Sequence, residues 1–226
     1  MIPYNPADRA NLPKKKKFVG KAYSIDKALE MLDVFVNEPI EPVVILGLFY
    51  GLRRSEALGL RWQDIDFDQG KIFIRNTVVR YRTVVEEEQT KSEASCRTLF
   101  IIPETQEYLI GLHKKQMEQQ LLLGSQYHNS DHVCKWNDGR PFKVNYVSKR
   151  FSDILKRNHL PHIRFHDLRH TAGSLLLESG LSIKQIQEYL GHEQASTTLD
   201  IYGHLSIEGK KESANAMGRI LKSKVG

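Results

Sequence analysis

The first group of residues that could do chemistry lies in the segment Gly51–Leu60, with the sequence GLRRSEALGL. Arg53 follows a predicted helix break at Gly51, and Glu56 comes three residues later. A carboxylate at this interval can orient a guanidinium group, which is a good ligand for phosphate. A surface ion pair is the simpler alternative, and the segment by itself does not decide between them.

A second group is formed by His166, Asp167, Leu168, Arg169 and His170. Residues three and four apart on a helix face the same way, so His166, Arg169 and His170 are predicted to share one face. A neutral histidine beside a guanidinium suits a phosphate oxyanion. A core histidine in a capped helix is one alternative, and metal binding by the two histidines is another. The metal alternative lacks the further ligand that a zinc-protease motif supplies.

The third group begins at Leu190-Gly191-His192 and ends ten residues later at Tyr202. Glycine at this position predicts the end of a helix, which would expose His192 to a cleft. A tyrosine between aliphatic residues is, by itself, more often a core residue with its hydroxyl at the surface. Tyr202 therefore becomes a candidate only in combination with the other two groups. Tyr189, the other tyrosine nearby, is predicted to pack within the preceding helix.

Hydrophobic spacing and capping residues indicate which elements position these groups. The predicted helices span residues 24–36, 43–50, 55–60, 104–123, 143–158, 166–179, 182–191 and 214–221. A change to alternating and β-branched residues predicts strands at 72–79 and 97–102, after a turn at 68–70. The predicted fold class is therefore mainly α with a small antiparallel β-sheet.

Composition supports an ordinary globular chain that meets a polyanion. The chain has 226 residues, 33 Lys and Arg against 27 Asp and Glu, and a net charge of +6. This excess is compatible with nucleic acid as a partner but is weak evidence alone. Cys96 and Cys134 lack metal-ligand spacing, which favours a reducing, cytoplasmic setting. No apolar run approaches the roughly 20 residues of a membrane helix, and no secretory signal is recognisable.

In order, the motifs G-L-R-x-x-E, H-x-x-R-H, L-G-H and D-I-Y resemble those of the tyrosine recombinase (phage integrase) family. The resemblance covers nearly the whole chain, since residues 5–14 are also similar to the linker that follows the family's core-binding domain. It implies that residues 1–20 are a linker from a missing N-terminal core-binding domain; a disordered tail is the alternative. Residues 21–226 would be the catalytic domain, ending in a tail helix.

This resemblance also implies which residues bind the scissile phosphate. Arg53 and Arg169 would be the two clamping arginines, and His192 would join them on the nonbridging oxygens to stabilise the transition state. Arg54 lies beside Arg53, but only Arg53 has the three-residue interval to Glu56. Arg54 is therefore expected to be a supporting residue or a DNA contact.

Proton transfer and covalent attack are assigned to three other residues. Tyr202 would be the nucleophile, and because a phenol has a pKa of about 10, it must lose its proton as it attacks. His166 is the candidate acceptor of that proton. Lys91, in Thr90-Lys91-Ser92 ahead of the second strand, is similar to the family's hairpin lysine and would protonate the departing 5′ oxygen. The product would be a 3′-phosphotyrosyl enzyme, formed without metal or cofactor.

The implied partners follow from the same resemblance. They are double-stranded DNA, three further copies of the chain in a homotetramer on DNA, and accessory DNA-bending or directionality proteins, with no membrane. Integration or excision of a mobile element is the expected outcome, and chromosome-dimer resolution is the runner-up. A type IB topoisomerase, an inert DNA-binding module and a zinc-dependent hydrolase remain as alternatives.

Overall fold

The computed structural model describes residues 21–81, 83–87 and 96–191, and for residues 78–81 and 83–87 it describes the backbone alone. Helix α1, Ile25–Phe35, begins after Ser24, whose hydroxyl accepts the backbone N–H of Lys27 at 3.4 Å. Helix α2, Glu41–Phe49, carries Pro42 in its first turn, where the missing N–H has no intrahelical partner to lose. Both helices were predicted.

A short helix α3, Arg54–Gly59, leads through one 3₁₀ turn to the first of two antiparallel sheets in the described chain. The strands of this sheet, in spatial order, are β1 (Ile65–Asp66), β2 (Lys71–Ile74) and β5 (Arg97–Phe100). Ile72 of β2 lies opposite Leu99 of β5 on the buried face. The second sheet pairs β3 (Thr77–Tyr81) with β4 (Thr83–Glu87).

The single strand predicted at 72–79 is wrong, because the chain divides there into β2 and β3. Between the two strands, the side-chain amide of Asn76 donates to the carboxylate of Asp64 at 3.1 Å. A methyl group on Gly59 would lie 2.7 Å from the carbonyl oxygen of Asn76, so the end of α3 is packed directly on this backbone. These contacts turn the chain out of the first sheet and into the second.

The remaining helices match their predictions to within two residues. They are α4 (Pro103–Leu123), α5 (Val144–Arg157), α6 (Asp167–Glu178) and α7 (Ile183–Leu190). The capping box predicted from Ser182 and Gln185 is present at the start of α7. None of the helices in the described ranges combines the length and apolar character needed to cross a bilayer.

The core joins these helices to the first sheet. Phe151 of α5 stacks on Phe35 of α1 with ring centroids 5.3 Å apart, and it meets the edge of Phe165 at 5.6 Å. A smaller cluster around Ile186 and Leu190 packs α7 against α6. The architecture confirms a mainly helical fold with a small antiparallel sheet. The predicted linker at 1–20 and tail helix at 214–221 lie outside the described residues.

Candidate active site

The turn between α2 and α3 is the structural centre of the candidate site. Gly51 has a φ of +59°, which residues with a Cβ rarely adopt, and a methyl group there would lie 2.2 Å from the side chain of Leu190. Glycine is therefore required both by the backbone conformation and by the close packing of α7. The turn delivers Arg53 to the extended position that precedes the first turn of α3.

Glu56 holds Arg53 in two ways. Its carboxylate accepts the backbone N–H of Arg53 at 2.8 Å and the Nη1 group of Arg53 at 2.6 Å. The side chain of Glu56 is 1% exposed, whereas that of Arg53 is 34% exposed. The expected contact is therefore present, and its buried carboxylate argues against the alternative of a surface ion pair. Glu56 therefore holds the guanidinium of Arg53 from the buried side, while part of the Arg53 side chain stays accessible to solvent.

Arg169 and Arg53 both donate to one backbone carbonyl group, that of Gly191. Arg169 is 2% exposed and donates from Nη1 to the carbonyl of Gly51 at 2.7 Å. The carbonyl oxygen of Gly191 accepts from Nη2 of Arg169 at 3.4 Å and from Nη2 of Arg53 at 3.2 Å. Two guanidinium groups from distant parts of the chain thus converge on the residue that ends α7. Backbone carbonyls and the Glu56 carboxylate offset the repulsion between them.

The two histidines at the start of α6 lie together, as predicted. The rings of His166 and His170 are perpendicular, with centroids 5.1 Å apart. His166 lies at the surface, but the surrounding protein still removes water from part of the ring. This desolvation, reinforced by His170 and Arg169, lowers the pKa of His166 to about 4. At neutral pH His166 is therefore uncharged and able to accept a proton.

A groove of about 760 Å³ adjoins Arg53 and His166. It runs along α5, where Nη1 of Arg54 donates to the hydroxyl of Ser148. Arg164 also lines it and pairs with Asp167 at 2.8 Å. Arg54 is thus held by α5, away from Glu56, which agrees with the choice of Arg53 as the residue oriented by that acid. The groove's basic lining suits a polyanionic ligand.

Arg97 is part of this arrangement and was missed as a site residue, because the sequence indicated only a strand there. Its side chain is 7% exposed, and its Nη1 and Nη2 groups donate to the two carboxylate oxygens of Glu56 at 3.2 and 3.1 Å. Its Nε donates to the carbonyl of Tyr189 at 3.2 Å. The available signal was periodicity: Arg97 lies two residues before buried Leu99, hence on the core face of β5.

The pKa of Glu56 reflects these partners. Burial alone would raise the pKa of this carboxyl group, but the charges and hydrogen bonds of Arg97, and then of Arg53, outweigh burial and leave it below the ordinary value. Glu56 is therefore ionised between two guanidinium groups. The site keeps its negative charge inside and presents positive charge toward the groove.

Three predicted site residues, Lys91, His192 and Tyr202, lie outside the described residues. His192 directly follows Gly191 in the sequence. Tyr189 is described: its hydroxyl donates to the carbonyl of Phe49 at 2.9 Å, and burial raises its pKa to about 12. The predicted packing role of Tyr189 is confirmed. Within the described ranges, no group of three His, Cys, Asp or Glu side chains is placed to hold a metal ion.

A model of the phage integrase family matches residues 26–208. The chain belongs to that family. The match spans all three groups of residues with which the sequence analysis began, and it confirms the resemblance to tyrosine recombinases. The integrase fold seen here is accordingly that of a tyrosine recombinase catalytic domain.

Individual relatives of this phage integrase family member include both an integrase and tyrosine recombinases of the XerC type. The chain is 30% identical to the ICEBs1 integrase of Bacillus subtilis (strain 168), over 96% of this chain and 59% of the relative. It is 28% identical to a XerC-like tyrosine recombinase of Caldanaerobacter subterraneus subsp. tengcongensis, over 87% of this chain and 54% of the relative. The chain thus spans little more than half the length of these two relatives.

Solved structures share the fold. The Tn1549 transposon integrase, in complex with transposon right end DNA, aligns with a TM-score of 0.76 at 16% identity, over 96% of this chain and 71% of that one. The XerA recombinase aligns with a TM-score of 0.66 at 20% identity, over 89% and 66%. At these identities the likeness concerns the architecture alone. In the Tn1549 integrase structure, the protein with this architecture is in complex with DNA.

Proposed function

We propose that this chain cleaves and rejoins double-stranded DNA through a 3′-phosphotyrosyl intermediate, with Tyr202 as the nucleophile. The observation that carries the proposal is the convergence of Arg53 and Arg169 on the carbonyl of Gly191. Arg53 lines the basic groove and Arg169 lies buried behind it, so two guanidinium groups with planar N–H donors that match phosphate oxygens converge at one place. Family membership supports the same reaction class.

Arg53, Arg169 and His192 bind the nonbridging oxygens of the scissile phosphate in this proposal. Attack by the phenol oxygen adds negative charge to the phosphorus centre, and fixed positive groups stabilise that charge more than they stabilise the ground state. Arg53 is suited to this role because Glu56 holds it from the buried side while its outer part stays accessible. His192 follows directly on the carbonyl-bearing Gly191, which supports its assignment.

His166 takes the proton of Tyr202, and Lys91 gives a proton to the departing 5′ oxygen. A general base must be unprotonated at working pH, and the lowered pKa of His166 meets this requirement. The P–O bond to the 5′ oxygen breaks as the bond to Tyr202 forms, so the phosphotyrosine retains the bond energy. A 5′ hydroxyl from another strand then reverses the step without an added energy source.

Integration or excision of a mobile element is the proposed outcome. Similarity to the ICEBs1 integrase, and to the fold of the Tn1549 integrase bound to transposon right end DNA, supports this choice over chromosome-dimer resolution. Exchange of both strands of two duplexes requires four nucleophiles, so the assembly on DNA is proposed to be a homotetramer. The tail segment 214–221 would dock either on a neighbouring copy or on its own domain, and accessory DNA-bending or directionality proteins would join the assembly.

Covalent capture tests the central claim. Wild-type chain is incubated at high concentration with a library of nicked duplexes of randomised central sequence, and DNA linked to protein is recovered under denaturing conditions. We expect wild type to form an adduct that survives denaturation and is released by protease. Tyr202→Phe, which keeps the ring but lacks the attacking oxygen, should form none.

Tyr189→Phe is the matched control, because Tyr189 is a nearby tyrosine whose hydroxyl is bound to Phe49 rather than placed for attack. This variant should still form the adduct. An adduct that persists in Tyr202→Phe, or none with the wild-type protein, would overturn the proposed mechanism.

A further inference from the structure

We propose that Arg97 is a positioning residue for DNA cleavage, acting on Arg53 through Glu56 and on the turn at Gly191 through the end of α7. The proposal rests on the function proposed above and adds a residue to it. Arg97 lies on β5, outside the three sequence groups that carry the resemblance. It is the described side chain that joins the sheet, α3 and α7 at this site.

The contacts of Arg97 are directional on both sides. Toward α3, it grips Glu56 with two parallel donors, an arrangement that fixes the plane of a carboxylate. Because the same carboxylate holds the backbone and side chain of Arg53, its orientation sets that of the phosphate-facing guanidinium. Removing Arg97 leaves Glu56 with Arg53 as its single cationic partner among the described residues. The carboxylate is then less firmly oriented, and so is the guanidinium group of Arg53.

Toward α7, Arg97 lies against the turn that ends the helix. Its Nε binds the carbonyl of Tyr189, and a methyl group on Gly191 would lie 2.9 Å from its Cδ and 3.0 Å from its Nη1. The carbonyl of Gly191 is the acceptor shared by Arg53 and Arg169. Arg97 thus supports the turn at Gly191, which directly precedes His192 in the sequence. At this turn Arg53 and Arg169, the two arginines proposed to bind phosphate, share one carbonyl acceptor.

The contacts of Arg97 separate this role from DNA binding. Its Nη1 and Nη2 groups are taken by the carboxylate of Glu56, which matches its charge, its Nε is taken by the carbonyl of Tyr189, and Arg97 does not line the groove. Its loss should therefore lower the rate of the chemical step while DNA affinity is retained. A misplacement of catalytic groups by about 1 Å can reduce a rate by about 100-fold.

The experiment measures single-turnover cleavage and DNA affinity separately, using a nicked duplex recovered from the covalent capture. We expect Arg97→Ala to reduce the cleavage rate at saturating protein by about 10- to 100-fold, with the apparent Kd changed less than about threefold. Arg97→Lys, which keeps the charge but cannot make the paired contacts, should recover part of the rate and serves as a second, better-folded variant. Arg150→Ala is the matched control: Arg150 forms a partly exposed ion pair with Glu38 at 2.7 Å, and the variant should cleave like wild type.

A double-mutant cycle tests whether Arg97 acts through Glu56. In a Glu56→Gln background, Arg97→Ala should cause a clearly smaller further loss of rate than in wild type, since the shared contact is already weakened. Wild-type rates in both Arg97→Ala and Arg97→Lys, or a loss of rate explained wholly by weaker DNA binding, would overturn the positioning role. Such results leave the proposed function intact, whereas a wild-type chain that cannot cleave overturns the function itself.

Discussion

Two regions of this molecule combine one glutamate with two arginines but bury them to different degrees. At the candidate site, Glu56 lies between Arg53 and Arg97, and its side chain is 1% exposed. Just before α2, Glu38 bridges two arginines of α5, Arg150 at 2.7 Å and Arg157 at 3.5 Å, and its side chain is 21% exposed. Each region thus holds one carboxylate between two guanidinium groups.

The difference in burial shows that residue type and sequence spacing do not determine how much a charge cluster contributes to the free energy of unfolding. An ion removed from water depends on its partners, so breaking the buried cluster leaves an uncompensated charge. Around Glu38, water replaces a lost partner at little cost. Only the buried cluster can hold a catalytic arginine in one orientation, because solvent does not compete for its contacts.

Removing each glutamate in turn gives the largest contrast. We expect Glu56→Ala to lower the free energy of unfolding by about 3–5 kcal/mol, since it leaves Arg97 buried without its carboxylate. Glu38→Ala, the matched control, should lower it by about 0–1 kcal/mol. Urea unfolding of both variants measures the difference, and equal losses would show that burial does not separate the two clusters.

Alanine substitutions at the glycines that end α6 and α7 test the contact of Arg97 with the turn after α7. Only the second of these glycines has Arg97 as a neighbour. Gly180 and Gly191 both have positive φ, at +87° and +66°, but a methyl group meets no atom within 4 Å at Gly180 and meets Arg97 at Gly191. Gly180→Ala should cost about 1–2 kcal/mol from backbone strain alone. Gly191→Ala should cost at least about 1 kcal/mol more.

The excess at Gly191 should disappear when the second alanine is introduced into Arg97→Ala, because the clashing side chain is then absent. Thermal or urea unfolding of the four proteins in this cycle checks the result. An excess that persists without Arg97 would assign the strain to another neighbour.

The pH dependence of stability distinguishes His166 from an exposed histidine. Its pKa in the folded protein is about 4, below the unfolded value of about 6.5, so the unfolded state binds more protons in between. The wild-type protein should therefore lose stability through this group as pH falls from about 6.5 to 4. In His166→Gln this part of the loss is absent, an effect of at most about 1 kcal/mol because His166 is exposed and solvent screens its charge.

Unfolding free energies of wild type and His166→Gln at pH 7, 5.5 and 4.5 provide the measurement, with His162→Gln, at an exposed position, as the control. The gap between wild type and His166→Gln should change in favour of the variant as pH falls. A constant gap would mean that His166 titrates alike in both states and would remove a support for its role as the base.

The smallest expected effect is the change with salt in the stability that the partly exposed Glu38 cluster contributes. Arg150→Ala should cost about 0.2–1 kcal/mol at low ionic strength and nearly nothing in 1 M NaCl, where charges are screened within about 3 Å. The cost of Glu56→Ala should change much less over the same range. Similar salt sensitivity in both variants would contradict the division of the two clusters by burial.

Local features were predicted well because neighbours in sequence determine them. Ser24 and the Ser182–Gln185 pair cap helices with their own side chains, and Gly191 ends α7 through a left-handed backbone conformation. The interval from Arg53 to Glu56 likewise predicted a real contact. The failure at residues 72–79 has a tertiary cause, because contacts of Asn76 with Asp64 and of its backbone with Gly59 divide a continuous strand-forming sequence.

The sequence by itself determined the helices, the family and the identity of the candidate groups, since these depend on residue type and short-range spacing. Only the tertiary structure decided that Arg53 meets the carbonyl of a residue 138 positions away, and that Arg97 reaches Glu56 across 41 positions. Such contacts follow from how helices and sheet pack, which no local pattern encodes. The same packing excludes water from Glu56, and that exclusion makes an ordinary ion pair a fixed support for the site.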